Sequence, residues 1–206
     1  MINIYIGLLG YLCGSIRFAY LIPLWFKKID ITKLSDDGNP GAYNAFKYAG
    51  IPLGILVIIL ELAKGFIPIR LAYMFLDPND IRFALVILAP IFGHSYPLGN
   101  FFKGGKAIAV TFGVFLGLYP EMTPLTYLVV MYLFTSLVIV INPHWVRSVI
   151  CFFLVALGIY LSPILISVKA GCIGGCCLVC FRHILARDKV AMPLTKQIKV
   201  SFFGGK

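Results

Sequence analysis

The chain has 206 residues, 60% of them hydrophobic and only 13% charged, with a formal net charge of +10 and a mean hydropathy of +0.94. Soluble domains carry about 25% charged residues, so this composition excludes a water-covered globular surface and points to an integral membrane protein. No Ser/Pro-rich or charge-block linker divides the chain, and one membrane domain over 1–206 is expected, ending in a basic cytoplasmic tail over about 184–206.

A membrane helix needs about 20 predominantly apolar residues. With Pro, Gly and charge as punctuation, the candidate spans in chain order are 2–26, 50–75, 81–99, 105–119, 124–142, 146–162 and 163–183. The first has no basic n-region and is too long for a signal peptide, so it reads as a span. The fourth is short, and the last two share a tight break at Ser162-Pro163, which gives five to seven crossings.

Charge decides the orientation. Lys27, Lys28, Lys33 and Lys47 follow the first span, Lys103 and Lys106 the third, Arg147 the fifth, and Arg182, Arg187, Lys189, Lys196, Lys199 and Lys206 the last. Thirteen of the eighteen basic residues therefore share one side, while the opposite loops offer Arg82 with Asp77, Asp80 and Glu121. The positive-inside rule puts the N-terminus outside and the C-terminus in the cytoplasm, as an odd number of spans requires. The expected fold class is an all-α integral membrane protein with about seven transmembrane helices and short or re-entrant polar loops on the cytoplasmic side. The net charge reads as anchoring to anionic lipid. Nucleic-acid binding needs a basic face with interleaved aromatics outside the membrane, and none is present.

The six cysteines lie in apolar segments. Cys177-x-x-Cys180 lacks the second pair and polar surroundings that a tetrahedral metal site needs. Cys172, Cys176 and Cys180 instead share a helical face beside Gly171, Gly174 and Gly175, which suits close packing of transmembrane helices.

Polar groups converge in cytoplasmic stretches. In "GHSYPLGNFFKGGKA", residues 93–107, Gly104 and Gly105 free the backbone to aim N–H groups at an anion, and Lys103 and Lys106 supply charge suited to phosphate. The next span begins there, so its N-terminal dipole faces the same place. The bland alternative is that both lysines snorkel to the interface. The opening stretch "LSDDGNPGAYNAFKYAG", residues 34–50, has the same chemistry: Gly38 and Gly41 permit a tight turn, Asn39 and Asn44 offer amides, and Lys47 adds charge. A plain connecting loop is its alternative. Glu61 and Lys64, one helical turn apart inside the second span, neutralise each other, and an intramembrane ion pair is a functional candidate by default. His94 and His183, each a phosphate ligand or a base near neutral pH or simply structural, sit beside basic residues.

Five ordered blocks carry a resemblance: "YLCGSIRFAYLI" (11–22), "GNPGAYNAFKYAG" (38–50), "ELAKG" (61–65), "GHSYPLGNFFKGGKAIAVTFG" (93–113) and "RH" (182–183). In spacing and identity the chain resembles the bacterial acyl-phosphate:glycerol-3-phosphate acyltransferase family. The resemblance implies a seven-helix fold with a cytoplasmic-face active site. It implies transfer of a fatty acyl group from acyl phosphate to the 1-hydroxyl of glycerol 3-phosphate, giving lysophosphatidic acid in phospholipid synthesis. No cofactor, metal or nucleotide is implied. The partners expected are the two substrates and the lipid bilayer of a bacterial cell, around a monomer. The site residues it implies are His94, His183 and Asn39 as catalytic, with Ser15, Gly38, Gly41, Asn44, Lys47, Lys64, Lys103, Gly104, Gly105 and Lys106 binding substrate. An acyl phosphate is already activated, so positioning and charge neutralisation suffice.

Several positions depart from the family pattern. Asp36 and Asp37 stand where relatives have Gly and Ser, Lys47 replaces Arg, Ala107 replaces Gly, Val110 replaces Thr, Ala186 replaces Asn, and Arg17 replaces Pro. A carboxylate about 4 Å from a bound phosphate meets a repulsion of roughly 4 kcal/mol at an effective dielectric of 20. Asp37 is therefore expected to pair with Lys106 or Arg147, or to turn outward. A divergent relative with altered substrate or no activity is the alternative reading, and a small transporter a further one.

Overall fold

The computed structural model describes residues 2–35, 38–99, 104–186 and 199–202. Asp36, Asp37, Lys103 and the tail residues 187–198 and 203–206 lie outside these, and with them the expected pairing of Asp37.

The first span is not continuous. It consists of α1 (Ile2–Ser15) and α2 (Phe18–Lys27), bent by 42° at Ile16 and Arg17. A break inside a membrane needs partners for the backbone groups it frees. Here the Lys64 ammonium donates to the Ile16 carbonyl at 2.7 Å, and the Ala19 N–H donates to the Glu61 carboxylate at 3.3 Å. The Arg17 guanidinium lies over the Tyr20 ring, 4.7 Å from its centroid.

The opening stretch is also not a plain loop. α3 (Ile31–Leu34) is capped by Asp30, whose carboxylate accepts from the Thr32 hydroxyl at 2.6 Å and from its N–H at 3.0 Å. The Thr32 hydroxyl is the main cause holding the Asp30 carboxyl below its ordinary range. α4 (Ala42–Ala49) follows Gly41, burying Ala45 and Ala49 while Tyr43 and Lys47 face outward. Its eight residues contain no helix breaker, so only the flanking glycines punctuate it. Gly50, with φ of 87°, ends it in a conformation that side chains rarely adopt.

α5 (Ile51–Phe75) begins at once and is the longest element. α6 (Phe83–Ser95) and α7 (Ile108–Gly117) follow, then α8 (Thr123–Leu133), which widens into a π-helical turn over Phe134–Val138. The β-branched run Val138 to Ile141 then leaves the helix as strand β1 (Ile139–Asn142), where the fifth span was expected to continue. α9 (His144–Leu161) and α10 (Ile166–Leu185) complete the helices. Strand β2 (Lys199–Phe202) pairs antiparallel with β1, Ile139 opposite Phe202, a small addition to the all-α expectation.

Each of the seven expected spans holds an apolar helix. By length and composition α5, α9 and α10 suffice to cross a membrane, and the bent α1–α2 pair makes a fourth; the others are shorter. Close approach holds them together. A side chain at Gly113 would run into the Leu62 carbonyl of α5, and one at Gly171 would crowd Ile87 and the Ala84 carbonyl of α6. The expected packing face of α10 holds at Gly171 and Gly175, whereas Gly174 and Cys180 are half-buried. Cys172 and Cys176 are fully buried on it, and all six cysteines are free thiols.

The apolar core has two parts. Ala19, Ile22, Ile31, Ala45 and Val57 join α2, α3, α4 and the start of α5. A larger cluster runs from Ile69 of α5 through Phe83, Ile91, Phe115, Phe152 and Cys176. Glu61 and Lys64 lie on α5 between the two.

Contacts between loops define two ends. At one, Asn3 reaches Asp80, Ser167 bonds the Pro78 carbonyl, and Arg70 bonds the Tyr119 carbonyl. There Arg82 holds the Asp80 carboxyl down to about 2, chiefly through its side-chain hydrogen bond. At the other end lie the 38–50 stretch, the turn before α7 and the start of α9.

Candidate functional site

The polar residues gather around the α1–α2 break and extend toward the second end. Glu61 is 2% exposed and Lys64 4%, both on the α5 face that meets α1. The Lys64 ammonium lies 2.8 Å from Glu61 Oε2, and His94 Nδ1 approaches the same oxygen at 3.1 Å. An i,i+3 pair of opposite charge in an apolar span is thus completed by a histidine from α6.

The other face of that imidazole meets the glycine turn. Gly105 N–H donates to the His94 carbonyl at 3.1 Å. A Cβ at Gly105 would lie 2.1 Å from His94 Nε2, and one at Gly104 would strike the Ser95 carbonyl. Neither glycine is among the residues with positive φ. Their smallness, rather than a curled nest, is what the turn uses, and the Gly105 amide is committed to His94. The left-handed position falls instead on Ala107, with φ of 61°, where helix α7 begins. The Thr111 hydroxyl returns a bond to the Ala107 carbonyl at 2.7 Å.

Arg182 of α10 closes the turn from the far side. Its guanidinium donates to the Gly104 carbonyl at 2.5 Å and to the Gly105 carbonyl at 3.3 Å, and lies 5.1 Å from the Tyr96 ring centroid. Tyr11 of α1 donates to the Tyr96 carbonyl at 3.1 Å. Ser15, one turn further along α1, donates back to Tyr11 at 2.8 Å.

The remaining expected residues form two other groups. His183 is fully buried and faces α9, where it stacks on His144 with centroids 6.2 Å apart and planes 14° from parallel. The Ser148 hydroxyl lies 3.3 Å from His144 Nδ1. The second group belongs to the opening stretch. Asn44 donates its amide to the Asn39 carbonyl at 2.7 Å, and the Asn39 amide lies over Gly41. Gly38 takes a left-handed φ of 64°. The Lys47 ammonium lies 4.8 Å from the centroid of its neighbour Tyr48. Lys106 is half-buried in the glycine turn, and Lys103 falls outside the described residues.

Sequence reasoning raised Glu61 as the ion-pair partner of Lys64 and Arg182 as part of the Arg-His block without giving either a place in the site, and it left out His144. Glu61 was readable from its spacing to Lys64. Arg182 was signalled by the Arg-His block, whereas His144 carried no signal beyond adjacency to Pro143. Among the described residues no three His, Cys, Asp or Glu side chains gather as a metal site. An open depression of about 480 Å³, lined by Pro120, Glu121 and Tyr127, lies at the opposite end, away from this chemistry.

The family model described as glycerol-3-phosphate acyltransferase matches residues 4–190. The chain belongs to that family. A glycerol-3-phosphate acyltransferase of Thermotoga petrophila is 43% identical over 108 residues, 52% of this chain and 54% of that relative. One of Pseudomonas aeruginosa is 41% identical over 115 residues, 56% of this chain and 60% of the relative. The chain thus spans about half the length of the family members it matches in sequence. The fold likeness is wider. An integral membrane glycerol 3-phosphate acyltransferase, PlsY, in its glycerol 3-phosphate form matches with a TM-score of 0.77 at 26% identity, covering 92% of each chain. Its lysophosphatidic acid form matches with a TM-score of 0.75 at 25% identity, covering 92% of this chain and 91% of that one.

Proposed function

We propose that the protein is a multi-pass acyltransferase that moves a fatty acyl group from acyl phosphate to the 1-hydroxyl of glycerol 3-phosphate. Lysophosphatidic acid and inorganic phosphate leave. The observation that carries the reading is the buried Glu61–Lys64–His94 cluster, set in an intramembrane helix break and turned toward the Gly104–Gly105 turn. Family membership supports the same reaction.

The chemistry follows from the substrates. A mixed anhydride needs no enzyme nucleophile; it needs two anions held side by side and an aimed hydroxyl. His94 Nε2 accepts the hydrogen bond of the attacking hydroxyl. As the new ester bond forms and the acyl–phosphate bond breaks, the departing phosphate takes the proton. Lys64, Lys103 and Lys106 neutralise phosphate charge, with Lys47, Ser15, Gly38, Gly41, Asn39 and Asn44 on the opening side and His183 on the α9 side. The acyl tail lies between apolar helices. The protein works as a single-domain monomer in the bacterial plasma membrane, with its N-terminus outside and its C-terminus cytoplasmic. Orientation is supported by the basic residues gathered at the end that holds the glycine turn.

The test is direct. Purified protein receives palmitoyl phosphate and labelled glycerol 3-phosphate, with a confirmed family member as control. Labelled lysophosphatidic acid is expected. Its absence, with an active control, overturns the reading in favour of a divergent relative, for which Ala107 in a left-handed conformation is the specific departure.

A further inference from the structure

We infer that Glu61 is the positioning residue of the site: it sets the tautomer of His94 so that a lone pair at Nε2 faces the glycine turn. The inference rests on the acyl transfer proposed above. A carboxylate only accepts hydrogen bonds. His94 Nδ1 lies 3.1 Å from Glu61 Oε2, a distance at which a bare ring lone pair would face the carboxylate's negative charge, so the neutral ring keeps its proton at Nδ1 and leaves Nε2 as the acceptor. Nε2 is also the atom that the missing side chain of Gly105 leaves room for. The ring cannot flip without breaking one relation or the other.

Glu61 itself cannot move. Lys64 holds Oε2 at 2.8 Å, and the Ala19 amide, at the start of α2, holds Oε1 at 3.3 Å. Lys64 in turn is pinned to the Ile16 carbonyl at 2.7 Å. The carboxylate therefore has three tasks: it neutralises Lys64, caps the broken helix and orients the imidazole. Only the third fixes the His94 tautomer, so the test must read it apart from folding and from the charge of Lys64.

Nitrogen-15 histidine spectra of the full chain in micelles give that readout without substrate. The His94 signal is assigned by its loss in His94→Gln. Wild-type His94 is expected as the Nδ1-protonated form. The paired change Glu61→Met with Lys64→Met removes the carboxylate without stranding a buried cation, a replacement that buried ion pairs often tolerate. In it the Nε2-protonated form is expected to appear. Glu61→Gln keeps the shape and supplies the kinetic arm: kcat should fall about a hundredfold, the low end of what a positioned proton-transfer group contributes, with KM for glycerol 3-phosphate within about threefold. A wild-type His94 protonated at Nε2, a spectrum unchanged in the paired variant, or an unchanged kcat in Glu61→Gln overturns the inference. A wild-type chain without acyltransferase activity but with Nδ1-protonated His94 overturns the proposed reaction and leaves the positioning role standing.

Discussion

Gly105 stands against the His94 imidazole so closely that a single methyl group there would lie 2.1 Å from Nε2. Gly105→Ala must displace either the ring or the turn that Arg182 clamps. Overpacking of this kind costs about 1–3 kcal/mol. The expected outcome is a folded, modestly destabilised protein that has lost acyl transfer, checked by thermal melting in micelles beside the palmitoyl phosphate assay.

Arg182 holds the same turn through the carbonyls of Gly104 and Gly105. Hydrogen bonds to charged groups contribute about 1.5–3 kcal/mol. Arg182→Ala should loosen the turn and raise KM for both phosphate substrates, while Arg182→Lys, a single point charge without the planar fork, restores only part of the loss. Initial-rate kinetics on both variants decide this.

Ala107 has a φ of 61° at the start of α7. The left-handed conformation costs a residue with a Cβ roughly 1–2 kcal/mol. Ala107→Gly relieves that strain and adds unfolded-state entropy, so a net stabilisation of about 0.5 kcal/mol is expected, seen as a small rise in melting temperature. A fall would show that the Ala107 methyl, buried at 1% exposure, matters more for packing than its backbone does for strain.

Helix packing gives a paired prediction. A side chain at Gly113 meets the Leu62 backbone, whereas one at Gly174 meets only Leu88 methyl groups at 3.6 and 3.9 Å, an ordinary contact. Gly113→Ala is expected to lower the yield of folded protein and its melting temperature. Gly174→Ala should stay within about 0.5 kcal/mol of the parent.

The loop around Asp80 carries a small pH dependence. Asp80 is held to about 2, mainly by its hydrogen bond from Arg82. A depressed carboxyl stabilises the fold above its unfolded value, and that contribution is lost as pH falls through the folded value. The melting temperatures of the parent and Asp80→Asn should therefore differ at neutral pH and converge between about pH 4 and 2.

Much of this was legible in the sequence. The apolar runs located every helix-bearing span, and the Glu61–Lys64 spacing announced the ion pair, because helical periodicity is local. The break at Ile16 was not legible: its cause is a carboxylate and an ammonium more than forty residues away. The strand at Ile139 was hidden for a similar reason, since a β-branched run reads equally as an apolar helix until its partner at Lys199–Phe202 is known. The glycine turn was found but misread. Only the position of the His94 ring shows that those residues are small to leave room, not to bend.

The bent first span also constrains how the chain is made. As α1 and α2 enter the bilayer, the Ile16 carbonyl and the Ala19 amide face hydrocarbon with nothing to satisfy them, because Lys64 and Glu61 are still inside the ribosome. The bent first span is therefore completed only by side chains of a segment that follows it in the chain.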